Sequence, residues 1–257
     1  IPWYSGAMKN PSLTKLIRMA LEEDIPNGDI STELVVPNDQ QSEAVIIAKA
    51  PGAFYGSQVM TMIMDQVDPA SSLSFEVKDG DTFLKGDSLI HLSGATHSLL
   101  KAERTLLNFL QRLCGVASQT KRFVDALDSP NIHVLDTRKT TPGWRDLEKA
   151  AVLAGGGMNH RQGLSDMVLL KENHLSALDS QGRLNDLGQL ILAFKTQHPG
   201  VLVEVEIETL DQLETLSLDH VDMLLLDNFA LDQIHPAVSI LKKRGLSPDI
   251  EISGNIT

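Results

Sequence analysis

One cysteine, Cys114, stands among 257 residues. That scarcity excludes an internal disulfide framework and a cysteine-based zinc site, and it points to a reducing compartment, the cytoplasm. No apolar run approaches the ~20 residues that span a bilayer; segments such as 44–48 and 223–226 are strand-sized. Ile1–Met8 has neither the basic region nor the long apolar stretch of a secretory leader. Positive charge is also scarce. The chain holds 22 Lys and Arg against 34 Asp and Glu, a net charge of −12, which argues against a general nucleic-acid binder. What is plentiful is core material: 42% of residues are hydrophobic and 22% charged. Disordered and collagen-like classes are out, and the length suits one large domain or two modest ones.

The charge is unevenly spread. Between residues 101 and 175, eleven Lys and Arg outnumber eight Asp and Glu; elsewhere eleven face twenty-six. A basic middle in an acidic protein suggests a cationic pocket for small anions, with ordinary variation among surface charges as the alternative.

Leu13, Leu16, Ile17, Ala20 and Leu21 follow the helix-start signal Asn10–Pro11–Ser12 at helical spacing, and Pro26 and Gly28 end that pattern. Strand-like runs follow at 44–48, 73–77 and 88–92, with Asp79–Gly80 as a turn between the last two. A long helical pattern resumes near His97, with Gly115 as a possible break. Residues 1–115 therefore read as an α+β layer domain. Beyond them, short apolar runs at 133–135, 167–170, 201–205, 223–226 and 250–252 alternate with helix-compatible segments at 183–196, 209–217 and 230–243. Such alternation implies parallel strands covered by helices. Polar groups follow each run: Asp136-Thr-Arg-Lys139, Lys171-Glu-Asn-His174, Glu206-Ile-Glu208, Asp227-Asn228 and Ser253-Gly-Asn255. The C-terminal ends of parallel strands are where an α/β barrel or a doubly wound sheet builds its site. A full eight-fold barrel takes about 250 residues, so the last part of this chain makes a barrel that is small or incomplete, or no barrel at all.

Arg138 and Lys139 can clamp anions, one by its planar fork and the other as a point charge. A solvated basic loop is the plainer reading. His160–Arg161 precedes the strand that leads to Lys171 and His174, and the histidine spacing does not suit a helical zinc site. Gly155–Gly157 matches no phosphate-loop pattern and reads as a flexible loop. Glu204, Glu206 and Glu208 share one strand face. Either this is an acidic solvent-facing edge, or Glu206 enters a barrel mouth beside Asp227. A cationic rim of Arg138, Lys139, Arg161 and Lys171 over two carboxylates wants a polyanionic substrate that develops positive charge as it reacts.

Seven segments in order, GDIST at 28–32, ERTLLNFLQR at 103–112, DTRKTTPGWR at 136–145, HRQGLSDMVLLKENH at 160–174, EVEIET at 204–209, LLLDN at 224–228 and EISGNIT at 251–257, closely resemble quinolinate phosphoribosyltransferase, the carboxylating nicotinate-nucleotide pyrophosphorylase family. The resemblance implies an α/β fold, with an N-terminal α/β sandwich over 1–115 and an open, incomplete α/β barrel over 116–257. It implies Mg²⁺, quinolinate and phosphoribosyl pyrophosphate as substrates, and a role in NAD biosynthesis. It also implies a homodimer with shared active sites, with higher assembly open. By motif position, Arg138, His160 and Arg161, with Arg104 from the partner subunit, match contacts to quinolinate. Lys139 and Lys171 match the lysines at the reacting centre. Glu206 and Asp227 match carboxylates that hold ribose hydroxyls or metal, and Ser253 and Gly254 match the start of a phosphate-binding turn. Family members continue past the SGNIT position, so a closing tail and part of the phosphate site are expected to be missing. The rivals are a nicotinate-type or molybdenum-transport-associated member of the superfamily, and a non-catalytic anion-binding barrel protein.

Overall fold

Helical spacing at the start of the chain turns into buried contacts, with Leu13 and Ile17 facing inward from the first helix. The computed structural model describes residues 11–254. Asn10, read as part of a helix-start signal, and Asn255–Thr257, in the last resembling segment, lie outside the described residues. Contacts between Cα atoms divide the chain into two units, Ile1–His160 and Arg161–Thr257.

The first unit begins with α1 (Pro11–Asp24) and α2 (Ile30–Val35). Asp29 caps α2, its carboxylate accepting from the Ser31 and Thr32 amides at 3.2 and 3.0 Å. There follow β1 (Gln41–Ile47), β2 (Gly52–Ala53), α3 (Ser57–Val67), β3 (Ser72–Phe75), β4 (Thr82–Phe83) and β5 (Ser88–Ala95). β1, β5 and β3 form an antiparallel sheet in that order, and β2 pairs with β4. Asp79–Gly80 does turn the chain, but β4 intervenes before β5. The Asp79 carboxylate instead accepts from the Gly56 and Ser57 amides at 2.9 and 3.1 Å, satisfying the start of α3.

Helix α4 (Thr96–Leu127) buries Leu99, Ala102, Leu106, Phe109, Leu110, Leu113 and Ala117 along one side. Gly115 does not interrupt it. A glycine inside a helix costs about 1 kcal/mol, whereas each large apolar side chain buried returns about 1.5–3 kcal/mol. Next comes α5 (Arg145–Ala154), a helix where the sequence suggested only the end of a basic loop. It buries Glu148 and Lys149 beside Leu147 and Ala151, and that mixture hides the apolar stripe from a periodicity reading.

Residues 133–135 form no strand; Leu135 makes only an isolated parallel bridge to Met158. The triple glycine is a close-packing device rather than a flexible loop. A Cβ on Gly155 would lie 2.4 Å from the Ala117 carbonyl oxygen, and one on Gly157 would lie 2.8 Å from the Thr120 and Val152 side chains.

The second unit runs β6 (Val168–Leu170), α6 (Glu172–Asp179), a 3₁₀ turn at Leu184–Asp186, α7 (Leu187–Gln197), β7 (Val203–Ile207), α8 (Leu210–Thr215), β8 (Met223–Asp227), α9 (Leu231–Lys243) and β9 (Asp249–Ser253). The strands are parallel in the order β6-β7-β8-β9. The α/β class, with an N-terminal sheet unit and a C-terminal parallel-sheet unit, is as expected. Of this unit's helices, only α6 was unforeseen. Its first residues, Glu172 to His174, read as polar strand-end groups, yet they open a helix.

The register explains the alternating pattern. Val203, Val205, Ile207, Leu224 and Leu226 pack in one core with Leu175, Leu187, Ile191, Leu213, Ala237 and Leu241 from the four helices. The opposite face therefore carries the intervening residues, Glu204 and Glu206 on β7, Asp227 on β8, and Glu251 and Ser253 on β9. An acidic solvent edge is excluded, because β7 lies between two strands and Glu204 is fully buried.

Candidate active site

The first unit carries a cationic loop. Asp136 opens it, with its amide donating to the Met158 carbonyl at 3.1 Å. The Lys139 amide bonds the Thr137 hydroxyl at 3.0 Å, and the Thr140 amide bonds the Arg138 carbonyl at 2.9 Å. These contacts leave Lys139 exposed and Arg138 half-buried. The Arg138 Nε is buried and has no hydrogen-bond partner among the described residues. An orphaned guanidinium donor of that kind suits a carboxylate ligand. His160 is half-buried at the end of this unit, and Arg104 is exposed on α4.

Two groups here, Glu148 and Lys149, escaped the sequence reading. Asp136 pairs with Lys149, which is only 2% exposed. Burial pushes the Asp136 carboxyl up, against the pull of the Lys149 ammonium and the His160 amide. Glu148 accepts from Arg112 at 2.6 and 3.1 Å, from the Thr141 amide at 3.1 Å and from the Thr141 hydroxyl at 2.8 Å. The available signal was adjacency: two opposite charges side by side in a helix, one turn after a basic loop.

Burial raises the Glu148 carboxyl, but the Arg112 and Thr141 bonds outweigh it and hold the group below its ordinary 4.5. A carboxyl lowered by folding contributes fully above its unfolded value, and the contribution disappears as pH falls through the folded one. Glu148→Gln is therefore expected to cost about 1–3 kcal/mol at neutral pH. The gap to the parent should close as pH drops below 4.5, a trend that thermal unfolding across pH 3–7 checks.

The second unit carries a polar sheet face. Lys171 follows β6 directly, and its Nζ meets Glu206 Oε2 at 2.8 Å. Its backbone amide donates to His174 Nδ1 at 2.9 Å, so the α6 histidine serves the helix start. On the next strands Asp227 Oδ1 accepts from the Ser253 hydroxyl at 2.6 Å, and Oδ2 accepts from the Asn228 amide group at 2.8 Å. Gly254 has φ +83°, and a Cβ there would sit 2.1 Å from Asn228 Oδ1. That turn admits only glycine. Arg161 is half-buried, with one guanidinium nitrogen 3.4 Å from the Met167 carbonyl.

Lys171 is thus joined to Glu206, and Asp227 to Ser253. Arg138, Lys139, His160 and Arg104 belong to the first unit, and Arg161 and Gly254 to the second. An ammonium and two carboxylates at the C-terminal ends of parallel strands can hold a polyanion and stabilise developing positive charge.

Two family descriptions match this chain: the N-terminal domain of quinolinate phosphoribosyl transferase over residues 29–114, and its C-terminal domain over 116–257. The nicotinate-nucleotide pyrophosphorylase [carboxylating] of Mycobacterium leprae is 35% identical, covering 94% of this chain and 84% of its own. The mitochondrial quinolinate phosphoribosyltransferase [decarboxylating] 2b of Nicotiana tabacum is 36% identical, covering 95% and 72%. The crystal structure of NadC from Streptococcus pyogenes superposes with a TM-score of 0.87 at 37% identity, covering 98% of this chain and 87% of that one.

Proposed function

The chain belongs to the quinolinate phosphoribosyltransferase family, and we infer from that membership that its polar sheet face transfers the phosphoribosyl group of phosphoribosyl pyrophosphate to quinolinate. The products are nicotinate mononucleotide, pyrophosphate and CO₂, in NAD biosynthesis. One observation supports this reading above the others: an ion-paired lysine and two carboxylates share one face at the C-terminal ends of parallel strands.

The charges suggest the course of reaction. As the C1′–O bond to pyrophosphate breaks, its electron pair leaves with the pyrophosphate and C1′ gains oxocarbenium character. Glu206 and Asp227 stabilise that charge. Lys139 and Lys171 neutralise the leaving group. The pyridine nitrogen then bonds C1′, and the pyridinium accepts the electron pair of the C2–carboxylate bond as CO₂ departs; a proton from solvent completes C2. Arg138, His160 and Arg161, with Arg104 from a partner subunit, orient the two substrate carboxylates. Orientation of this kind can lower a barrier by several kcal/mol. Ser253 and Gly254 begin the turn for the ribose phosphate.

The hard oxygens of Glu206 and Asp227 fit Mg²⁺, which favours one or two carboxylates together with substrate phosphates. When bound there it would neutralise pyrophosphate charge. A homodimer with shared sites is part of the reading, since Arg104 is exposed on α4 and available to another subunit. So is a cytoplasmic location, in keeping with Cys114, a buried free thiol. Among the described residues no helix is long and apolar enough to cross a membrane.

Quinolinate should be turned over and nicotinate should not, because the arginines exceed what one carboxylate needs. Arg161→Lys should raise the quinolinate KM by about tenfold or more, since an ammonium cannot make a two-point contact. Product formation from each acid, assayed in parallel, checks both expectations. Equal turnover of the two acids would overturn the assignment.

A further inference from the structure

We propose that Glu148 and Lys149, consecutive residues of α5, are positioning residues that hold the two ends of the Arg138–Lys139 loop and so set its geometry for quinolinate. The inference rests on the functional reading above and assigns roles to residues that reading does not use.

At the loop's start, the Lys149 ammonium pairs with Asp136 and donates to the His160 carbonyl at 2.9 Å. The same Asp136 oxygen accepts the His160 amide at 2.8 Å. Both backbone groups of His160 are therefore tied to one buried ion pair. Asn159, with its amide nitrogen turned inward, adds bonds to Asp136 Oδ2 at 2.6 Å and the Lys149 carbonyl at 2.9 Å. At the loop's end, both oxygens of Glu148 hold Thr141, and Arg112 reaches Glu148 and the Thr141 hydroxyl together. Between them, Arg145 Nε donates to the Thr140 hydroxyl at 3.1 Å. Three side chains from little more than one turn of helix thus fasten the loop at residues 136, 140 and 141.

Stability alone does not account for this arrangement. Buried ion pairs are costly to desolvate, and apolar residues of similar volume are often as stabilising. Leu147 and Ala151 already anchor α5 in the core. The charged contacts run instead to the loop and to His160, and a displacement of about 1 Å in a binding group can cost about 100-fold in rate.

The test uses the full chain and reads ligand affinity and stoichiometry by calorimetry, with amide exchange across 137–141 as a second readout. Glu148→Ala should weaken quinolinate binding about tenfold, and Thr141→Val, a loop change that spares the helix, about threefold. Affinity for phosphoribosyl pyrophosphate should fall by less than quinolinate affinity in each variant, because Lys139 is the one loop residue assigned to that ligand, and the loop amides should exchange faster. The Asp136→Asn, Lys149→Met double variant removes both charges together, leaves neither buried alone, and should also weaken quinolinate selectively. A merely structural role would lower the fraction of chain able to bind while leaving affinity unchanged, or weaken both ligands equally. Either result overturns the proposal, and Thr141→Val decides it even if the α5 variants fail to fold. If the parent chain does not bind quinolinate, the functional reading falls and takes this inference with it. If the parent binds and the variants bind equally well, only this inference falls.

Discussion

Glu206→Gln and Asp227→Asn are each expected to reduce turnover by about 10²–10³-fold while quinolinate affinity stays nearly constant. Both carboxylates are assigned to the ribose, where positive charge appears only as the C1′–O bond breaks. An interaction that strengthens only in the transition state affects turnover and leaves ground-state binding of the acid alone. The two variants should differ in one respect. Glu206 also holds Lys171 at 2.8 Å, so its neutralisation releases that ammonium and should alter the KM for phosphoribosyl pyrophosphate as well. Asp227 is held by the neutral partners Ser253 and Asn228, and its loss should fall on turnover. Quinolinate titration beside steady-state kinetics separates these effects. Lost quinolinate affinity with normal turnover at saturation would reverse the assigned roles.

Mixing two inactive variants, Arg104→Ala and Lys171→Ala, should restore activity. Under the proposed homodimer each site takes Lys171 from one protomer and Arg104 from its partner, so every mixed dimer contains one complete site and one doubly defective site. Random reassortment makes about half the dimers mixed, and roughly a quarter of all sites should recover. Separate tags on the two variants allow the doubly tagged species to be isolated and assayed. If that species stays inactive, Arg104 serves its own chain or the surface of α4.

Much of this architecture is legible without coordinates, because some properties depend only on neighbours along the chain. Helical spacing from Leu13 to Leu21 is enough for α1, and the apolar runs at 201–205 and 223–226 are enough to expect strands there, which fold as β7 and β8 with the first ending two residues later. Period-two alternation places Glu204 and Glu206 on the same face, since successive side chains of a strand must point to opposite sides. The ordered motifs identify the family, and with it the substrates.

Other features depend on what lies across space. Strand order decides that β7 is not an edge, and only the folded chain shows that Glu204 and Glu206 on its polar face are buried rather than solvated. The His133–Leu135 run has the composition of a strand but finds only one bridge, because strand character needs a partner along its length. Gly155 and Gly157 look like a flexible loop until α4 is seen to occupy the space that a Cβ on either would need. Glu148 and Lys149 are adjacent opposite charges after a basic loop, and adjacency by itself does not show that they are buried. Only folding brings Asp136, Thr141 and Arg112 to them, and the cost of burying a charge makes those long-range partners obligatory.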